Sequence, residues 1–106
     1  MPKYLYQGSY TEEGLKGLLK DGGTKRMEVT KKAVESLGGT MEAYYFAFGD
    51  NDFYLITDTP DYVSAITGSL VANASGAVKV KVTVLITPEE VDQAVKKTMD
   101  WRPPGH

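Results

Sequence analysis

Cysteine is absent from this chain, and that closes several routes at once. No disulfide framework, thiolate zinc site or cysteine nucleophile can be built. Histidine is nearly absent too: the single copy, His106, is the last residue and closes a tail that begins Trp101-Arg102-Pro103-Pro104. A general base must be held within hydrogen-bond reach of its proton, which such a tail does not do. Haem would lack an axial ligand from the body of the fold. No metal and no cofactor is therefore expected. An excess of positive charge is also missing, with 12 Lys and Arg against 14 Asp and Glu. The lysines are scattered as Lys31-Lys32, Lys79/Lys81 and Lys96-Lys97 among acids, rather than gathered on a face that could neutralise phosphates. Nucleic acid is not an expected partner. Nor does any apolar run approach the ~18 residues that cross a bilayer. The opening MPKYLYQG has no basic segment leading into an apolar one. A cytoplasmic protein without a membrane partner is the expectation, so the glycosylation-like Asn73-Ala74-Ser75 has no consequence.

What is present is one domain's worth of alternating pattern. A chain of 106 residues buries about two-thirds of its unfolded surface, enough for a single core. The reading is a single domain over residues 1–98, then a proline-containing tail over 99–106. KYLYQGSY alternates as a strand from Lys3 to Tyr10, with Tyr4, Tyr6 and Tyr10 on one side and Gly8 as a bulge position. Thr11 supplies a cap for a helix carrying Leu15, Leu18 and Leu19, which Gly22-Gly23 breaks. A second helical piece from about Thr24 aligns Met27, Thr30, Val34 and Leu37, and ends at Gly38-Gly39. Strands follow over about Thr40–Phe48 and Phe53–Thr57. Thr59-Pro60 then opens a helix whose apolar stripe is Val63, Ile66, Leu70 and Ala74. From Ala77 to Ile86 five aliphatic residues, Val78 to Ile86, alternate with Lys79, Lys81, Thr83 and Leu85. Thr87-Pro88-Glu89-Glu90 is a capping box opening a last amphipathic helix.

The order strand, helix, strand, strand, helix, strand, helix is that of an α+β ferredoxin-like sandwich, a four-stranded antiparallel sheet with helices on one face. The aliphatic stripe of the fourth strand belongs under the helices. The two middle strands are apolar on both rows, Met41, Ala43, Tyr45 and Ala47 against Tyr44, Phe46 and Phe48. A sheet face meeting water would alternate with polar residues. An apolar second face marks an interface or a ligand surface, and the simplest cover is a second copy packed sheet to sheet. A homodimer, with room for higher assembly, is expected.

At this point a family likeness is visible. The residues Tyr10-Thr11 with Gly14, Arg26, Leu37-Gly38-Gly39, Gly49 with Asp52, Pro60-Asp61 and Ala74-Ser75-Gly76, in that order, resemble the GYD domain family. The likeness runs from about Lys3 to Thr87. Asn51 stands where the signature has its tyrosine. The resemblance implies a dimeric α/β barrel arrangement and no particular activity.

The stretch Gly49-Asp50-Asn51-Asp52 has two readings. As a hairpin turn, it uses residues that tolerate left-handed backbone. As a site, it offers two carboxylates at the mouth of an inter-sheet cleft, with Asp52, retained in the family signature, as the catalytic candidate. A calcium loop needs further ligands and a later Glu that are absent. Arg26, next to Lys25, sits at a helix start where a cation is disfavoured, which suggests an anion or an acidic partner. Seven tyrosines suit either packing or the walls of a ligand cleft. In GLKGLLKDGG the glycines permit either a mobile flap or close approach to a neighbour. The expected ligand contacts are Gln7, Ser9, Tyr10, Arg26, Lys79, Lys81 and Thr83. Three functions fit: a homo-oligomeric small-molecule-binding protein, a cofactor-independent monooxygenase- or isomerase-like enzyme, and a structural oligomerisation module gripped through its C-terminal helix and Trp101.

Overall fold

The computed structural model describes all residues from Met1 to His106. Its elements are β1 (Lys3–Tyr10), α1 (Glu12–Asp21), α2 (Gly23–Ser36), β2 (Thr40–Phe46), β3 (Phe53–Asp58), α3 (Tyr62–Ala74), β4 (Val78–Leu85) and α4 (Pro88–Val95). The four strands form one sheet in the order β2-β3-β1-β4, every neighbouring pair antiparallel. This is the ferredoxin-like arrangement, with α1, α2 and α3 over one face.

Local chemistry sets the helix boundaries. Thr11 caps α1 by accepting the Gly14 N–H at 3.2 Å. Gly22, at φ 83°, turns the chain between α1 and α2 in a conformation that a side chain would resist. The capping box of α4 is formed, with the Thr87 Oγ1 accepting from Glu90 N at 3.1 Å and Glu90 Oε1 accepting from Thr87 N at 2.9 Å. For α3 the start is later than Thr59-Pro60. Asp61 is the cap, accepting the Ser64 N–H at 2.7 Å, and those local bonds hold its carboxyl below the usual range.

Three details of the sheet depart from the sequence pattern. Gly8 is not a bulge: it keeps register with Phe53 and Val80, and a Cβ there would lie 2.9 Å from the Phe53 ring. The bulge sits in β2 between Met41 and Ala43, so Met41 shares the helix-side row with Tyr44 and Phe46 rather than with Ala43 and Tyr45. β2 also stops at Phe46, and none of residues 49–52 has positive φ, so the β2–β3 connection is a loop of ordinary backbone rather than a left-handed turn.

The core is Tyr4 and Tyr6 of β1, Phe53 and Leu55 of β3, and Ala65 of α3. Val78, Val80 and Val82 pack against it, but Val84 and Ile86, the far end of the same stripe, are exposed. α3 reverses its expected orientation as well. Its buried side is the small row Ala65, Gly68 and Ala72, while Val63, Ile66 and Leu70 point outward. Small residues let the helix settle low on the sheet, where the Tyr6 hydroxyl donates to the Ala65 carbonyl at 2.8 Å. At the β4 edge the Asn73 side chain accepts from the Val80 N–H at 2.8 Å and donates to its carbonyl at 3.1 Å.

Candidate ligand-binding site

α2 lies over β2 and α3 over β4, the end of α2 reaching Gly68 of α3 through Leu37. Between them the helix-side face of the sheet is left uncovered as an apolar cleft of about 400 Å³. Its floor is aromatic: the Tyr44 and Phe53 rings stack at 6.4 Å with planes 9° apart, and Tyr10 tilts against Phe53 at 5.4 Å. One wall is the face of α2 bearing Val29, Thr30, Ala33 and Val34, the other the Thr67, Val71 and Ala72 side of α3. A volume of this size is within the range of small-molecule pockets, roughly 300–1,000 Å³.

Polar side chains cluster around Tyr44, while Ser36, Thr67 and Ser75 add further hydroxyls to the lining. Tyr10, Thr30 and Tyr44 bring hydroxyls, and Arg26 of the first turn of α2 brings the cleft's one charge. Arg26 stands 3.7 Å from Asp21 and keeps about a third of its side chain exposed, so its guanidinium retains donors for a further acceptor. Burial pushes the Tyr44 phenol well above its ordinary range, and the Tyr10 hydroxyl adds to the rise; Arg26 and Thr30 pull the other way. Tyr44 therefore holds its proton at neutral pH and serves as a hydrogen-bond donor. No carboxylate, histidine, lysine or thiol lines the cleft.

The residues expected to bind ligand divide between the two faces of the sheet. The open face holds five of them: Gln7 opposite Lys81, Ser9 opposite Lys79, and Thr83 opposite Leu5. Beside them, Lys3 donates to Glu42 at 2.7 Å and to Asp58 at 2.9 Å, and those acceptors hold its ammonium above the ordinary pKa. The other two, Tyr10 and Arg26, lie on the helix side and meet at the cleft. The seven are thus split, five on the open face and two at the helix-side cleft. Asp52 is engaged by the backbone. Its carboxylate accepts the Tyr10 N–H at 2.9 Å, while its own N–H donates to the Gly8 carbonyl at 2.8 Å. Together these clasp the β2–β3 loop to the end of β1. Asp50 and Asp52 belong to no group of side chains that could hold a metal ion. Glycine in the α1 region serves close approach at Gly14, where a Cβ would run into the Ala77 backbone, whereas nothing lies near Gly17.

Val29, Ala33, Thr67, Val71 and Ala72 were not legible as site residues. The available signal was the small row Ala65, Gly68 and Ala72, which tells that α3 sits low on the sheet and leaves its large side chains outside.

Fold and cleft together define a ferredoxin-like α+β protein with an apolar, tyrosine-floored opening between its two sheet-covering helices. The model of the GYD domain matches residues 4–95 of the 106, and the chain belongs to that family. Comparison with curated proteins and with solved structures finds no match. No helix is long and apolar enough to cross a membrane.

Proposed function

We propose that this GYD-domain protein binds a small, largely apolar and planar molecule in the cleft between α2 and α3. The ligand's acceptor or anionic end would sit against Arg26, Tyr10 and Tyr44. The observation that carries the reading is the 400 Å³ opening over stacked Tyr44 and Phe53, with Tyr10, Thr30 and Arg26 gathered about the Tyr44 hydroxyl. Such a pocket, mostly apolar with a few convergent polar groups, is how small molecules are held and oriented. Binding rather than turnover is favoured because the lining offers hydroxyls and a guanidinium but no base able to take a proton near neutral pH. The enzyme reading would have to run through a tyrosine whose pKa burial has moved away from that range.

The protein is also proposed to work as a homo-oligomer. Support comes from the open sheet face, where exposed Tyr45 and Tyr54 stand opposite each other beside half-buried Leu5, Ile56 and Leu85. An apolar centre with a rim of Lys3, Lys79 and Lys81 fits a second copy packed on that face. The cleft lies on the opposite face, so it does not need that pairing to be complete.

Native mass spectrometry of gently purified protein tests the ligand reading. The expected spectrum shows a small-molecule adduct on each chain, lost on denaturation and absent from Ala72→Trp, which fills the cleft. An adduct that persists in Ala72→Trp, or a site that remains empty across a panel of aromatic carboxylates, overturns it.

A further inference from the structure

The outer surface of α3 is unlike that of any other helix in the molecule. From Tyr62 to Ala74 there is not one charged residue. Ser64, Thr67, Ser69 and Asn73 are its polar residues, yet between them Tyr62, Val63, Ile66 and Leu70 are 47% to 66% exposed. The patch does not stop at the helix. α3 runs antiparallel to β4, with Asn73 fixed to Val80. At about 3.3 Å per strand residue and 1.5 Å per helix residue, Val84 lies alongside the region of Ser64. Exposed Val84 and Ile86 thus extend the apolar surface to the N-terminal end of α3.

One other segment has an apolar row and nothing to lay it on. Every residue from Pro88 to His106 is exposed. Val91 and Val95 stand one turn apart on α4, and Met99 and Trp101 follow beyond its end, all from 43% to 78% exposed. This arm carries the chain to 57 Å in one direction against 32 and 23 Å in the others. The radius of gyration is 17.0 Å, where a compact chain of this length has ~13 Å.

We infer that the α4 arm of one copy lies along the outer face of α3 of a second copy, and that the second copy's arm returns the contact. The arm cannot serve its own α3 while its start is intact. Only Ile86 and Thr87 separate β4 from α4, and the Thr87–Glu90 capping box with Pro88 fixes the direction in which the helix leaves. A reversal there would break the cap. The area also suits a pair of copies. The exposed side chains of the α3 patch and the arm offer on the order of 1,000 Å² per copy, at or above the ~800 Å² that each partner gives to a standard interface. A reciprocal contact of this kind is two-fold symmetric and closes on itself. It is separate from the cleft and from the open sheet face.

The absence of cysteine makes the test clean. Two single variants of the full chain, Ile66→Cys and Val95→Cys, are mixed and oxidised gently, with Leu5→Cys on the open sheet face replacing Ile66→Cys as control. A mixed disulfide between Ile66→Cys and Val95→Cys, at least tenfold over the control, is the expected result. Light scattering on Leu70→Glu should show the particle mass halved relative to the unmodified chain, with the far-ultraviolet circular dichroism unchanged. A disulfide that forms only when both substitutions share one chain would show the arm on its own α3 and overturn the inference. A monomeric unmodified chain, or an assembly whose mass Leu70→Glu leaves unaltered, would overturn it too.

Discussion

α2 and α3 cover the same sheet, yet they meet the outside world on opposite terms. α2 carries Lys25, Arg26, Glu28, Lys31, Lys32 and Glu35 within 14 residues, so water satisfies its outer side. α3 carries no charge in 13 and turns its large aliphatic residues outward. Beneath, the contrast reverses. α2 rests on Val34, only partly buried, and leaves a gap beside it, whereas α3 is seated low on Ala65 and Gly68. The difference teaches that one helix is complete in a single chain and the other is finished on its inner side alone. The space between them follows from the mismatch, since one helix sits over β4 and the other over β2, at opposite edges of the sheet.

That contrast can be broken from below. Phe53→Ala removes the ring on which Tyr10 and Tyr44 both rest, and should cost ~3–5 kcal/mol in denaturant unfolding. A much smaller loss would mean that the floor does not support the two helices jointly. Gly68→Val places atoms where even a Cβ comes within 3.3 Å of the Tyr6 hydroxyl. It should lift α3 at a cost of ~1–3 kcal/mol, while Ala33→Val on the exposed wall of α2 stays within ~0.5 kcal/mol. Equal effects would erase the distinction between a seated and a loose helix. Tyr6→Phe deletes the one hydroxyl that ties α3 to the sheet, an expected loss of ~1 kcal/mol by the same unfolding measurement.

Alkaline titration gives a finer test. Burial raises the pKa of Tyr6 and of Tyr44 above the ordinary 10.0. The folded chain then holds protons that the unfolded chain has released, so this contribution is fully present below pH 10 and drains away as pH rises from there toward the folded values. Urea midpoints should be flat up to about pH 10 and fall beyond it, with a shallower fall in Tyr44→Phe. A fall that begins near neutrality would contradict buried, neutral phenols. The smallest effect belongs to the solvated side of α2, where Lys31→Ser should shift stability by no more than ~0.5 kcal/mol.

How much of this was legible beforehand depended on the scale of the interaction. Strand alternation in KYLYQGSY and VKVKVTVL, the cap at Thr11 and the box at Thr87 are local, and local patterns carried the element order to the correct sandwich. The orientation of α3 was not local. Its large residues, Val63, Ile66 and Leu70, form the more conspicuous row, but a helix packing close to a sheet selects its smallest face, and that choice depends on Tyr6 of a distant strand. The β2 bulge likewise shows only in the pairing of Met41 and Ala43 with β3. It exchanged the rows of an already two-sided apolar strand without leaving a polar residue to mark the change. The site suffered most, because a cleft is the space two helices leave between them, and no single residue encodes a gap. Asp52 drew attention as an acid in a signature, but its oxygen is committed to a backbone N–H one strand away.

The small clasp of Asn73 on Val80 has a wider consequence. An outer strand with free amides is a template on which another strand can be laid, and then another, without limit. Here a side-chain amide occupies that template at Val80 on the β4 rim, copying the bonds a neighbouring strand would make. On the opposite rim the irregularity after Met41 spoils the other template. A sheet interrupted at both rims resists sideways growth into fibres. Partners are then directed to its helices and its faces, where each contact saturates once it is made.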